Sequence, residues 1–262
     1  MRVLGFDTET TGLDTKKARI IELGAILFNV ENGVWSPLKT FSKLLWEIGD
    51  DMLTPETTKL TGITQAELEA GGTSRGHGIK LLSEIAAEAD MVVCHNADYD
   101  KGMLIETIKR HNFDITVPSI GYMLGLPWVC SVMDLRSNRD YKCRTLSHLA
   151  LDRGVAVDPK DLHRAVGDVA LMGKMLTAAA ADPHAMYAYQ QSPWTFLQAI
   201  IPPPWEDGGK GKDAATKLGY SWEKARHTDG PVFSKTWVKR VKDCDVEDEK
   251  KSASFPVKII QC

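Results

Sequence analysis

Apolar positions near the start of the chain fall in short runs, each bounded by turn-forming residues. Val3–Asp7 is the first. Ile20–Phe28 (IIELGAILF) and Trp35–Phe41 follow, separated by Asn32-Gly33. Three such runs in series predict an antiparallel meander. From Thr54 the period lengthens. Thr54-Pro55-Glu56 predicts a helix start, because proline at the first helical position lacks only an N–H that the helix does not use. Thr64-Gln65-Ala66-Glu67 predicts a capping box. Ile79–Ala89 reads as a helix and Met91–Cys94 (MVVC) as a short buried strand. A helix over 98–111 carries Met103, Leu104, Thr107 and Ile108 at helical spacing. Pro127–Val132 reads as another strand. Leu146–Arg153 reads as a helix closed by Gly154, and Gly167–Ala181 as a helix stopped at Pro183. The Gly-rich stretch Phe113–Leu126 reads as a surface loop. A β meander followed by alternating helices and strands predicts an α/β domain with a mixed sheet.

Pro202–Pro204 and Gly208-Gly209-Lys210-Gly211 would stop any regular element. The predicted organisation is therefore a main domain over 1–182, a helical, Pro/Gly-rich linker over 183–211, and a small basic, aromatic module over 212–262. In that module Trp222 and Trp237 are expected to form the core, and Asp243–Glu249 an acidic linker. Apolar residues at 43% and charged residues at 26% are values for a globular, soluble chain. No run of 18 apolar residues suggests a membrane span. The acid at Asp7 comes too early for a signal peptide. Five scattered cysteines without a CxxC pair suggest neither a zinc cage nor a disulfide framework, and so a cytoplasmic setting. Net charge is −3, yet Gly208–Lys242 holds nine Lys/Arg against three Asp/Glu. Bound divalent cations would let an acidic protein meet a polyanion.

Three segments carry candidate chemistry. In Asp7-Thr8-Glu9, side chains two apart on a strand leave the same face. Two anions there either close an ordinary solvated strand end or hold a cation between them, for which hard oxygen ligands favour Mg²⁺ or Mn²⁺. In His95-Asn96-Ala97-Asp98-Tyr99-Asp100 a strand hands over to a helix with acids in its first turn. Capping accounts for Asp98, Asp100 should point inward beside the strand, and His95 and Asn96 should tie down the turn. In His163-Arg164-Ala165-Val166-Gly167-Asp168 a loop histidine precedes an aspartate that opens a helix. A general base needs a pKa near 7 and room to approach a water, and a loop histidine beside carboxylates offers both.

These segments, in this order, resemble the DEDDh exonuclease family, which includes bacterial proofreading subunits, ribonuclease T and exonuclease X. The likeness covers roughly residues 1–181 and extends to Phe6–Leu13 (FDTETTGL), Leu60–Thr64 (LTGIT) and Thr145–Ala150 (TLSHLA). It implies a ribonuclease H-like fold, a five-stranded mixed sheet flanked by helices. It implies 3′→5′ exonuclease activity with two divalent ions, Mg²⁺ or Mn²⁺, held by Asp7, Glu9, Asp100 and Asp168. His163 would be the general base, and Thr10, Leu13 and Tyr99 would lie near the terminal nucleotide. DNA is the favoured substrate, with a polymerase or other replication protein as a partner. An RNA-trimming enzyme and an inactive nucleic-acid-binding module are the alternatives. In the C-terminal module, interleaved tryptophans and basic residues suit single-strand binding.

Overall fold

The first apolar run becomes strand β1 (Arg2–Thr10), at the centre of a five-stranded sheet. The computed structural model describes residues 1–113, 117–139, 141–158, 163–224 and 235–260. Strand β1 pairs antiparallel with β2 (Ile20–Glu31), and β2 pairs with β3 (Val34–Leu44). Asn32 and Gly33 make the connecting turn, both at positive φ (51° and 78°), as a tight hairpin requires. On its other side β1 runs parallel to β4 (Met91–Cys94), which runs parallel to β5 (Trp128–Cys130). The expected meander and mixed sheet are present, in the order β3-β2-β1-β4-β5.

Helices α1 (Pro55–Thr61) and α2 (Gln65–Gly71) follow the meander. Thr54 caps α1, Gly62 ends it at φ 69°, and Thr64 with Glu67 closes the expected capping box. Side chains of β1 alternate between two cores. Leu4 and Phe6 pack with residues of α3 (Arg75–Ala86), α4 (Ala97–Arg110) and α5 (Pro118–Gly125). Val3 faces the opposite core, built with α6 (Leu146–Asp152) and α7 (Ala165–Ala178). Each fully buried large aliphatic side chain is worth roughly 1.5–3 kcal/mol. Burial on both faces is why β1 and β2 read as continuous apolar runs rather than alternating ones.

Two expectations differ from the structure here. Phe113–Leu126 is not simply a surface loop: Pro118–Gly125 is a helix whose Ile120 and Met123 are buried beside α3. Residues 114–116 of that stretch lie outside the described residues. Two glycines masked its helical period, although Pro118 supplies a regular first-turn start. Helix α7 begins at Ala165, before the expected Gly167, so Asp168 stands in its first turn rather than at its start.

The chain divides into units Met1–Gln190 and Gln191–Cys262. The stretch 183–211, expected as a helical, Pro/Gly-rich linker, carries a helix and also a strand. It holds α8 (Pro183–Gln191) and strand β6 (Trp194–Ala199). Within the second unit β6 lies between β8 (Lys235–Lys242) and β9 (Val257–Ile260), and β7 (Ser221–Lys224) pairs with β8. The pattern of β6 is period two, with Leu197 and Ala199 buried, but a six-residue run beside three prolines carries little signal. Helices α9 (Lys210–Lys217) and α10 (Val246–Ser252) complete this unit. The acidic run is thus part of a short helix, and its buried Glu249 pairs with Lys239 at 2.7 Å. Trp237 is in the core with Leu197, Tyr220 and Val241, while Trp222 is half-buried against it. Residues 225–234 of the expected module lie outside the described residues. No helix among the described residues is long and apolar enough to cross a membrane.

One close approach sets where α7 sits. A Cβ placed on Gly24 would come within 2.3 Å of the Val166 backbone nitrogen and 2.4 Å of the Ala165 carbonyl carbon. Both are backbone atoms at the start of α7, so neither can swing aside. A Cβ on Gly125, at the end of α5, meets nothing within 4 Å. Gly24→Ala should therefore lower the melting temperature markedly, overpacking being worth about 1–3 kcal/mol or more. Gly125→Ala should be neutral or stabilising by up to about 1 kcal/mol. Thermal melts of both variants check this, and equal melting temperatures would remove the proposed contact.

Candidate active site

Asp7, Thr8 and Glu9 lie in the last turn-free stretch of β1. Alternation sends Asp7 and Glu9 to the α7 side of the sheet and Thr8 to the α4 side. Helix α7 brings Asp168 to the first pair. One carboxylate oxygen from each of Asp7, Glu9 and Asp168 lies within 4.8 Å of the others. Asp100 comes from the first turn of α4, is 2% exposed, and accepts a hydrogen bond from Thr8 Oγ1 at 2.7 Å. The structure therefore gathers three of the four sequence-predicted acids in one cluster. The fourth is close enough to Asp7 to be the strongest charge acting on it.

The electrostatics follow from that crowding. Burial, then the charges of Asp100, Glu9 and Asp168, raise the Asp7 carboxyl well above its ordinary value. Burial, then Asp168 and Glu22, push Glu9 up to about 8. Asp100 is pushed up to about 7 by burial, against the opposing hydrogen bond from Thr8. Burial also raises Asp168, while the His163 charge and its backbone N–H act the other way. Carboxylates held together in this state are short of positive charge. An all-oxygen donor set of this kind fits a hard divalent cation such as Mg²⁺ or Mn²⁺.

His163 is exposed and lies just before α7 at φ 62°, a left-handed conformation that few non-glycine residues adopt. One residue missed by the sequence reading, Glu22, holds its neighbour Arg164. Glu22 on β2 lies directly opposite Glu9 in the β1–β2 register and is fully buried. It accepts from Arg164 Nε at 3.1 Å and Nη2 at 2.9 Å, from the Ala165 backbone N–H at 3.1 Å, and from Ser42 Oγ at 3.1 Å. The available signal was Glu22 itself, the only charge inside IIELGAILF.

The three positions expected near a terminal nucleotide form one group. Thr10 Oγ1 and Tyr99 Oη are 2.6 Å apart, and both hydroxyls reach the Gly12 carbonyl, at 2.9 and 2.7 Å. Arg110 Nη1 donates to the Ala18 carbonyl and Nη2 to that of Lys16, each at 2.9 Å, which fixes the rest of the loop. Leu13 projects from this braced turn, 89% exposed. His95 ties down its turn as expected. Its ring nitrogens meet Ser131 Oγ at 2.8 Å and the Arg144 carbonyl at 2.9 Å. Asn96 takes φ 87° at the N-cap of α4, and Asp98 is exposed.

The model of the RNase_T family, described as an exonuclease, matches residues 4–176. Among curated relatives, DNA polymerase III subunit epsilon of Treponema pallidum is 32% identical over 97 residues, which is 36% of this chain and 40% of that protein. DNA polymerase III PolC-type of Mycoplasmopsis pulmonis is 30% identical over 168 residues, 64% of this chain and 11% of that protein. The matches thus span well under half of either relative. Exonuclease X in complex with 5′-overhanging duplex DNA superposes with a TM-score of 0.51 at 20% identity, covering 71% of this chain and 98% of that one. E. coli exonuclease I in complex with a dA16 oligonucleotide gives 0.59 at 14% identity, covering 100% of this chain and 65% of that one. At these identities the superpositions establish the ribonuclease H-like fold.

The raised carboxyls have a measurable consequence. Across the pH range between the unfolded and folded pKa values, the folded state keeps protons that the unfolded chain has shed. Cation-free stability should then fall as pH rises from the ordinary carboxylate range to about 8. We expect the melting temperature in EDTA to drop from about pH 5 to about pH 8. Asp7→Asn should recover several degrees at the upper end, at roughly 2–4 °C per kcal/mol. Mg²⁺ or Mn²⁺ should raise the wild-type value at pH 8. A wild-type melting temperature insensitive to both pH and cation would contradict the assigned electrostatics.

Proposed function

Since the chain belongs to the RNase_T exonuclease family, we propose that it releases nucleoside 5′-monophosphates from nucleic-acid 3′ ends, with DNA as the main substrate. The observation that carries this is the convergence of Asp7, Glu9 and Asp168, with Asp100 beside them. These four would hold two divalent cations. When bound, the cations supply the positive charge that an in-line displacement at phosphorus requires at its attacking and departing oxygens. His163 takes the proton from the attacking water, and its exposure gives that water a way in. Thr10 and Tyr99, braced on Gly12, orient the terminal nucleotide, and Leu13 packs against its base. Preference for DNA, and a replicative polymerase as a partner, are supported by the two polymerase III relatives.

The second unit is proposed to bind the single strand. Trp205 is 72% exposed and meets Trp222 edge-on at 5.7 Å, leaving ring surface free for a base. Lys210 and Lys212 follow it closely in sequence and are exposed. Arg240 lies over the Trp194 ring at 4.5 Å, with its own side chain exposed. Aromatic faces and cations in alternation suit a strand's bases and phosphates.

A time course with 5′-labelled single-stranded DNA and RNA of one sequence should show a ladder shortening from the 3′ end, abolished by EDTA and faster on DNA. Asp7→Ala and Asp168→Ala should lose cleavage in folded protein, and His163→Ala should slow it by about 10²–10⁴-fold. Normal turnover in Asp7→Ala would sink the assignment, and faster RNA cleavage would move the substrate to RNA.

Trp205→Ala with Lys212→Ala should weaken single-strand affinity and flatten its salt dependence, while kcat on saturating DNA holds. Unchanged affinity and salt slope would remove the second unit from substrate binding.

A further inference from the structure

Glu22 and Glu9 face each other directly across β1 and β2. Like charges in that position are unfavourable, yet Glu22 is fully buried. Four hydrogen bonds compensate it, and three of them come from the segment that carries His163. The Arg164 guanidinium grips both Glu22 oxygens, and the Ala165 N–H shares one of them. Helix α7 has no capping side chain of its own: Arg164 occupies the N-cap, and its side chain makes no capping hydrogen bond to the first turn. Glu22 therefore caps α7 from another strand, 143 residues away in sequence. The Gly24 contact brings the helix start close enough for this to happen. The Arg164 carbonyl in turn accepts the Asp168 N–H at 3.0 Å. Arg164 also lies within electrostatic reach of Glu67, in the capping box that follows the LTGIT segment.

Resting on the exonuclease reading above, we propose that Glu22 and Arg164 are positioning residues: the pair latches the start of α7 to β2 and thereby holds His163, in its left-handed conformation, over the acid cluster. The latch acts through His163 and makes no contact of its own with the substrate. A bidentate guanidinium–carboxylate pair fixes direction as well as distance, which a lysine cannot reproduce.

The test is a double-mutant cycle on the full chain. Arg164→Ala should lower kcat by roughly 10–100-fold, the range seen when supporting partners of metal-site ligands are removed, with KM within about twofold. Arg164→Lys should recover part of that loss. In a His163→Ala background, adding Arg164→Ala should cost less than about twofold, since the residue it positions is gone. Arg164→Ala leaves Glu22 buried without its cation and could fail to fold. Glu22→Gln/Arg164→Leu removes both charges together, and should show the same kcat loss with a melting temperature near wild type. A readout independent of turnover is the His163 Cε1–H resonance in metal-free protein, which should move towards the value of a free histidine in both Arg164→Ala and the double replacement. Equal losses in both backgrounds, a loss carried by KM, or an unmoved resonance would overturn the latch. If wild-type protein released no mononucleotide, the exonuclease reading would fall, while the resonance would still decide whether Arg164 holds His163.

Discussion

Mutual repulsion among Asp7, Glu9, Asp100 and Asp168 is the constraint around which the first unit is organised. A strand end left to itself would fray to separate such charges. Here β1 cannot, because its apolar residues are buried on both faces and it is paired on both edges. Helix α7 cannot retreat either, because its first N–H and its N-cap arginine are tied to Glu22. The fold supplies the rigidity, and the acids contribute an unsatisfied demand for positive charge. A cation that met the demand would find a framework already in place, so little of its binding free energy would be lost to ordering the protein.

Much of this was legible in the amino-acid sequence. The β meander, the strand at Met91–Cys94 and the capping box at Thr64 each depend on local residue types in a regular period, and local signals survive in the linear text. Asp7 and Glu9 were legible for another reason, since alternation along a strand puts them on one face; Asp168 was legible only through the resemblance of its segment to the DEDDh exonuclease family. Glu22 and Arg164 were not legible. Neither has a local role, and their meaning lies in a contact across 142 residues that no window of sequence displays. Helix α5 was obscured because Gly121 and Gly125 weaken helix propensity where burial of Ile120 and Met123 decides the outcome. Strand β6 was hidden by its length and by the prolines after it.

The second unit shows a different balance. Its core is small, and Trp237 with Tyr220 supplies much of the apolar bulk. The charges around that core are not merely solvating. Lys239 pairs with buried Glu249 and lies over the Tyr220 ring at 5.9 Å, and Lys242 lies over Trp194 at 4.6 Å while donating to the Ser192 carbonyl. Aliphatic stems and aromatic rings thus cover what a few large hydrophobes leave open. Trp205 stands apart from this packing in its exposure.

The wide separation of the acid cluster along the chain bears on the order of events during folding. Asp7 and Glu9 leave the ribosome before Asp168, which reaches them only when α7 docks, after every strand of the first sheet has been made. Closing so long a loop is slow compared with forming the hairpin of β2 and β3. A nascent or half-folded chain therefore carries two acids of a three-acid cluster. Completion of the cluster reports that the first unit has closed, so any chemistry it performs is withheld from the chain until assembly is finished.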